Sequence, residues 1–334
     1  GSDGASATEI ALKMSAHYWR NCGLPQKNRF VYLENSYHGE TLGALSVTDV
    51  PVFRSAYAPL VRDNFRVMNP DSRQALPGES AKDVAERAAQ QLEVLLTAHH
   101  NEIAALILEP LVQGAAGMVM HGPGYLRGLR ALTREFGVHL IADEIAVGCG
   151  RTGTFFAWEQ TEPTGPADWP DFILLSKGIT AGTLPLSLVL SSEAVYRAFW
   201  SEDVGRGFLH SHSYTGNALA CAAANAVLDR FAADQVLEKN RVQARLLAEA
   251  FAPLATDPRV HHLRQRGMIL AFDVREPGER FAERFHLAAR AHELLIRPIG
   301  ATVYLMPPYL IDAPTAQFLF QALMATLSEV LDAA

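Results

Sequence analysis

Lys177 closes an apolar run, FILLSKGIT over residues 172–180, so that an amine stands where a short strand gives way to glycine. Asp143 ends a second such run, VHLIADE over 138–144. Taken singly, each has an ordinary structural reading. A lysine past a strand lays its stem on apolar surface and keeps its ammonium in water, and a strand-end carboxylate caps a turn. The chemical reading is that a desolvated amine loses its proton more easily and adds to an aldehyde. An apolar strand ending in aspartate also suits a nucleotide hydrolase. That chemistry needs a GxxxxGK[ST] phosphate loop, and the SKGIT stretch has no glycine six residues before Lys177.

Together, a strand-end aspartate and a strand-end lysine are the pair that pyridoxal 5′-phosphate chemistry needs. The lysine holds the aldehyde, and the aspartate keeps the ring nitrogen protonated so that the ring accepts electrons. The phosphate needs backbone N–H groups at a helix start, where the helix dipole also favours an anion. Gly4, Ala5 and Ser6 precede the first helical pattern and offer that turn. Tyr37 is placed to lay an aromatic face on the ring.

The elements that must hold these residues read as an α/β fold. Residues 29–35, 104–110, 138–144, 172–175 and 185–192 are nearly continuous apolar runs, as parallel strands covered on both faces are. Helical patterns over 81–99 and 125–136 lie between them, which predicts a large domain with a mostly parallel sheet. Ligands of such sheets bind where the strands end, and the polar residues there are Asn35 to His38, Glu109, Asp143, Glu144, Ser176 and Lys177. Ser2 and Asp3 are placed to cap the first helix. Past residue 215 the texture changes to long helical patterns over 216–233 and 236–254, strands near 267–274 and 301–308, and a last helix from Pro314. This predicts a large domain over 1–225 and a smaller α+β domain over 226–334.

Composition narrows the class. With 49% hydrophobic and 19% charged residues in 334, the chain has an ordinary globular make-up and length for a large core. A net charge of −7 and the lack of a long basic run argue against nucleic acid as a partner. Cys22, Cys149 and Cys221 have neither metal nor disulfide spacing, which fits a reducing cytoplasm. No apolar run is long enough to span a membrane. His210 and His212 lack a carboxylate or cysteine to complete a metal set, so no metal is expected. The histidine pairs 99–100 and 261–262 read as exposed loop residues.

Four stretches, EPLVQGAAGM (109–118), LIADEIAVGCGRTGTFFA (140–157), LLSKGI (174–179) and HSYTGNALACAAA (212–224), resemble the class III, fold-type I aminotransferases. The resemblance covers essentially the whole chain. NSYHGETLGALSVTD (35–49), RGFLHSHSYTGN (206–217) and IRPIGATVYLMPPY (296–309) narrow it to members that take S-adenosylmethionine as donor and 8-amino-7-oxononanoate as acceptor, making 7,8-diaminononanoate for biotin. The resemblance implies roles. Lys177 is the Schiff-base lysine that also moves the substrate proton. Asp143 partners the ring nitrogen, Tyr37 stacks on the ring, and Ile145 covers its other face. Gly4 and Ala5 form the phosphate turn. Ser213 is the hydroxyl that a neighbouring subunit lends to the phosphate, which implies a homodimer with shared sites. Arg297 pairs with the keto-acid carboxylate, as a planar guanidinium can do with two hydrogen bonds; its plainer reading is a surface salt bridge. Tyr304 lines the same pocket or sits in a strand core. Glu109 and Gln113 orient groups of the pocket, Glu144 supports a loop, and His38 borders the pocket.

Three departures stand out. Cys149 replaces a frequent phenylalanine. Glu40 replaces an aspartate that helps accept the sulfonium donor, which leaves lysine, ornithine or an ω-amine as alternative donors. The chain also begins almost at the phosphate turn, so the N-terminal part of the small domain is expected to be absent from this sequence. A third reading is a relative that binds no cofactor and serves as an interaction scaffold; the intact Asp143–Lys177 pair argues against it.

Overall fold

The structure is a computed structural model, and it describes residues 1–332. Its strands are β1 (Arg29–Leu33), β2 (Phe65–Val67), β3 (Ile103–Leu108), β4 (Val112–Gln113), β5 (Val119–Met120), β6 (His139–Asp143), β7 (Phe172–Leu175), β8 (Leu188–Ser191), β9 (Val260–Arg266), β10 (Ile269–Val274) and β11 (Thr302–Leu305). Its α-helices are α1 (Gly4–Asn21), α2 (Leu42–Leu45), α3 (Pro51–Arg54), α4 (Ala81–His99), α5 (Pro123–Glu135), α6 (Glu193–Phe199), α7 (Ala218–Ala233), α8 (Val236–Phe251), α9 (Phe281–Ala291) and α10 (Ala313–Asp332).

Six strands form one sheet in the order β2-β1-β3-β6-β7-β8. All pairs are parallel except β7 with β8. Every residue of β3 and of β6 is buried, which is why these strands read as unbroken apolar runs: helices cover both faces. On one face α4 and α5 bring Ala88, Leu92, Leu126 and Leu129 against Leu106, Leu108 and Leu140. On the other, α1 brings Ala7, Ala11 and Leu12 against Ala105, Ile107, Ile141 and Leu174. Each large apolar side chain buried there contributes about 1.5–3 kcal/mol. Capping sets the helix starts. The Asp3 side chain accepts from the Ser6 N–H at the head of α1, Ser80 and Asp83 form a reciprocal box at the head of α4, and Pro123 opens α5.

A second core collects Leu247 and Phe251 of α8, Leu270 and Phe272 of β10, Phe281 and Phe285 of α9, Val303 of β11, and Leu323 and Leu327 of α10. It packs on an antiparallel sheet ordered β11-β10-β9. Residue 225, near which the sequence texture changes, lies inside α7, and that helix continues unbroken to Ala233. Strand β9 is absent from the sequence reading because VHHLRQR has a polar pattern: it is an edge strand with only Val260 buried. For the same reason His261 and His262 stand on a strand and His99 ends a helix, which corrects their reading as loop residues. Among the described residues no helix is long and apolar enough to cross a membrane.

Candidate active site

Parallel pairing aligns the two chemical residues. Asp143, the last residue of β6, pairs with Leu174 of β7, so Lys177 emerges three residues beyond Asp143's neighbour. Both open onto one cavity of about 630 Å³. It lies at the carboxyl ends of the strands, where open α/β sheets bind ligands.

Lys177 has φ +44°, a left-handed backbone that is rare for a bulky residue. Such strain costs on the order of 1–3 kcal/mol and gathers at functional sites. The Ser176 hydroxyl anchors the turn by donating to the Leu186 carbonyl at 2.8 Å. In the single chain Lys177 is exposed. The expectation of a partly dry amine is therefore not met by this chain alone.

Asp143 is 4% exposed. One carboxylate oxygen accepts the Ile145 N–H at 3.1 Å, and the other lies 2.7 Å from His38 Nδ1. Glu109 lines the same wall and accepts the N–H groups of Tyr37 and Gly114 at 3.3 and 2.9 Å. Burial pushes its carboxyl up to about 7. Tyr37 is half-buried, and its hydroxyl donates to Glu40 at 2.8 Å. Burial first, and then Glu40, raises that phenol to about 12, so it remains a donor at neutral pH.

Gly4 and Ala5 reach the cavity at the start of α1, with Ile145 packed beside Gly4. Gly39 allows the chain carrying Tyr37 and Glu40 to pass this helix start. Its φ is +120°, and a Cβ there would stand 2.5 Å from Ala5 Cβ. The Asp3 carboxylate occupies part of the same turn, accepting from Ser6 N and Oγ at 2.9 and 2.7 Å. The residues fit pyridoxal 5′-phosphate. A buried carboxylate and a lysine open onto one space, Tyr37 and Ile145 line it, and a helix N-terminus lies at one end. The one unfavourable group is the Asp3 carboxylate at that end.

Tyr304 and Glu40 also line the cavity. Three expected residues do not. Arg297 is exposed in the segment leading to β11, two residues before Ile299, which does line it. Ser213 is exposed and outside the cavity of its own chain. Gln113 is buried away from it, between Asn69 and the Glu34 carbonyl. The guanidinium that does line the cavity is Arg151, which the sequence reading passed over. It donates to the Pro307 carbonyl at 2.6 Å and lies 4.6 Å from the Tyr309 ring centre. The available signal was its place in a glycine-rich turn, Gly148 to Gly153. Glu144 supports a loop as expected, accepting the Ala157 and Trp158 N–H groups at 2.6 and 2.8 Å.

Outside the cavity, ligand atoms of His261, His262 and Asp273 converge within 4.8 Å. Asp273 is already bound by Arg264 and Thr302 at 2.9 and 2.7 Å, which neutralises the charge a metal would need.

Comparison with known proteins places this geometry. A family model described as aminotransferase class-III matches residues 2–327. The adenosylmethionine-8-amino-7-oxononanoate aminotransferase of Helicobacter pylori is 42% identical over 99% of this chain and 73% of its own length. That of Geobacter sulfurreducens is 37% identical over 98% and 74%. Among solved structures, the enzyme of the same name from Methanocaldococcus jannaschii has a TM-score of 0.88 at 29% identity, over 98% of this chain and 74% of that one. An amine transaminase from an uncultivated Pseudomonas species, solved with pyridoxal phosphate bound, has a TM-score of 0.91 at 31% identity, over 99% and 76%.

Proposed function

The chain belongs to the class-III aminotransferases, which work through pyridoxal 5′-phosphate, and on that premise we propose that it transfers the amino group of S-adenosylmethionine to 8-amino-7-oxononanoate, making 7,8-diaminononanoate in biotin synthesis. The observation that carries this is the pairing of Asp143 and Lys177 on adjacent strand ends over one cavity, in a chain 31–42% identical to several relatives of that name. We take the enzyme to act in the cytoplasm, as a homodimer whose sites share Ser213. The change of core after α7 is taken as the division between the large domain and the small one.

Bound in the cavity, the cofactor supplies an electron-accepting ring. Lys177 would hold it through its aldehyde, and the Lys177 Nζ, when free, would serve as the base that holds and moves a proton beside the substrate carbon. Asp143 would face the ring nitrogen, Tyr37 and Ile145 would line the space for the ring, and the N–H groups at Gly4 and Ala5 would receive the phosphate. Glu40 sets a carboxylate at the cavity edge, where a sulfonium donor gains from negative charge. Arg151 offers a fixed guanidinium inside the cavity. Arg297, without a salt bridge among the described residues, offers a movable one at its mouth for the acceptor carboxylate.

The test is an absorption spectrum of the protein with pyridoxal phosphate, before and after S-adenosylmethionine. The expected result is the visible band of lysine-bound cofactor, its conversion to pyridoxamine phosphate, and loss of both in Lys177→Ala. A band that ignores S-adenosylmethionine but responds to lysine or a diamine overturns the donor assignment. Failure to form the band overturns the function.

A further inference from the structure

A second cavity, of about 450 Å³, shares no lining residue with the active site. Three segments enclose it. The turn from Gly150 to Thr154 supplies one wall, α8 brings Asn240, Arg241 and Arg245, and the β9–β10 turn brings Gln265, Arg266 and Gly267. Three of the lining residues are arginines and none is acidic. The walls are tied to one another. Gly267 has φ +54°, and a Cβ there would stand 2.5 Å from the Thr152 carbonyl carbon, so only glycine lets the two turns close. The Met268 N–H donates to the Arg151 carbonyl at 2.9 Å, and Gln265 Nε2 donates to the Ala244 carbonyl of α8 at 2.7 Å.

Arg266 is held in place without being neutralised. It donates to Gln160 Oε1 at 3.3 Å, and Gln160 Nε2 donates to the Thr152 carbonyl at 2.9 Å. Its Nε is buried and has no partner among the described residues. Burial pulls the guanidinium pKa of Arg151, Arg264 and Arg266 below the usual value. Arg264 is answered by Asp273 at 2.9 Å, and Arg151 belongs to the active site. For Arg266 burial acts with no carboxylate against it. A covered charge without a counter-charge is costly. Arg241 and Arg245 add to it, standing one turn apart on α8, a spacing at which like charges repel. Among the described residues the carboxylate that pairs with either is Glu238, 4.0 Å from Arg241, with both side chains exposed.

The missing partner is an anion with oxygens for more than one guanidinium. A carboxylate offers two oxygens in one plane, whereas guanidinium groups on two walls suit a tetrahedral dianion. Asn240, 1% exposed, also lines the cavity; its Nδ2 donates to the Gly150 carbonyl at 3.5 Å, and its Oδ1 has no partner among the described residues. That acceptor calls for an O–H, which hydrogen phosphate or the hydroxyl of a phosphate ester carries.

We propose that this cavity is a second ligand site, for a phosphate group, with Arg266 on one wall and Arg241 and Arg245 on the other meeting its oxygens. The test is calorimetric titration of the protein loaded with pyridoxal phosphate, so that the turn at Gly4 is filled, at fixed ionic strength. The probes are inorganic phosphate, glycerol 3-phosphate and, as a planar dianion, succinate. Phosphate is expected to bind once per chain and succinate more weakly. Arg266→Gln weakens phosphate about tenfold or more, the size of a lost charge-assisted hydrogen bond, and leaves the absorption of the bound cofactor unchanged. Tighter binding of the ester identifies an organic phosphate as the occupant, and tighter binding of inorganic phosphate identifies the free ion. No binding of either, or equal affinity in the unaltered chain and Arg266→Gln, overturns the site. Succinate binding as tightly as phosphate overturns the phosphate assignment. Should Arg266→Gln not fold, the double variant Arg241→Gln, Arg245→Gln decides, since both side chains are exposed: unchanged phosphate affinity there overturns the proposal.

Discussion

Asp3 does two things at one helix start. As the cap of α1 it satisfies the Ser6 N–H, and as a carboxylate it sets negative charge where the phosphate of the cofactor is proposed to bind. Asparagine keeps the capping oxygen and drops the charge. Asp3→Asn is therefore expected to bind pyridoxal phosphate about two- to fivefold tighter, in line with a helix-terminus charge effect of roughly 0.3–1 kcal/mol. The gain should shrink as salt rises, because Asp3 is exposed. Equilibrium titration of the apoprotein at two ionic strengths checks this; unchanged or weaker binding would show that Asp3 moves aside at no cost. The same scale shows what the sequence does and does not disclose. Lys177 and Asp143 are legible because a charged residue ending an apolar run has a definite address, the edge of a sheet. Arg151 is not, because nothing local tells a cavity guanidinium from a surface one. Its neighbours Pro307 and Tyr309 lie more than 150 positions away, and only the folded chain brings them together.

Between elements, Asp273 of β10 acts as the fastener. It takes Arg264 of β9 at 2.9 Å, Thr302 of β11 at 2.7 Å and Arg73 at 3.5 Å. Arg264 and Arg73 in turn donate to the carbonyls of Ala116, Gly117 and Met118. That loop carries Gly114, Ala115 and Met118 into the cavity wall. The antiparallel sheet is thereby bound to the site through Arg264, which a carboxylate only 6% exposed holds in place. Removing Asp273 takes the only carboxylate among the described residues from Arg264, which is mostly covered, whereas Arg73 keeps Asp71 at 2.8 Å. Asp273→Ala should lower stability by about 3–5 kcal/mol, the cost of breaking a buried pair on one side. It should also raise KM more than it weakens cofactor binding, since Asp143 and Lys177 stand on the other sheet. Urea unfolding and steady-state kinetics measure both; a loss below about 1 kcal/mol would mean that the network is solvated like a surface pair. The strands of this network differ in legibility for one reason. β10 is buried along its whole length and reads as an apolar run, whereas β9 uses arginine and glutamine to reach across to other elements and reads as a loop.

For the whole molecule, a single chain leaves Lys177 exposed and Ser213 outside its own cavity. The segment around Ser213 is also unusually apolar for a surface. Trp200, Val204, Leu209, Tyr214 and Leu219 are each 72–76% exposed, which is the character of a surface made to be covered. In the proposed homodimer each phosphate receives Ser213 from the neighbour, and a two-fold axis places the same exchange at both sites. Complementation between two inactive chains then follows. Lys177→Ala lacks the amine, and Ser213→Ala, assayed at limiting pyridoxal phosphate, lacks a phosphate contact. In a mixed dimer, the site that keeps Lys177 draws an intact Ser213 from the other chain, and the second site carries both defects. If subunits exchange freely, half the dimers are mixed and each has one whole site, so an equimolar mixture should recover about a quarter of the unaltered activity. The measurement is activity after unfolding the two chains together and refolding them, against each refolded alone. If Ser213 serves its own chain, every site in the mixed dimer lacks either the amine or the hydroxyl, and the mixture stays at the level of its parts.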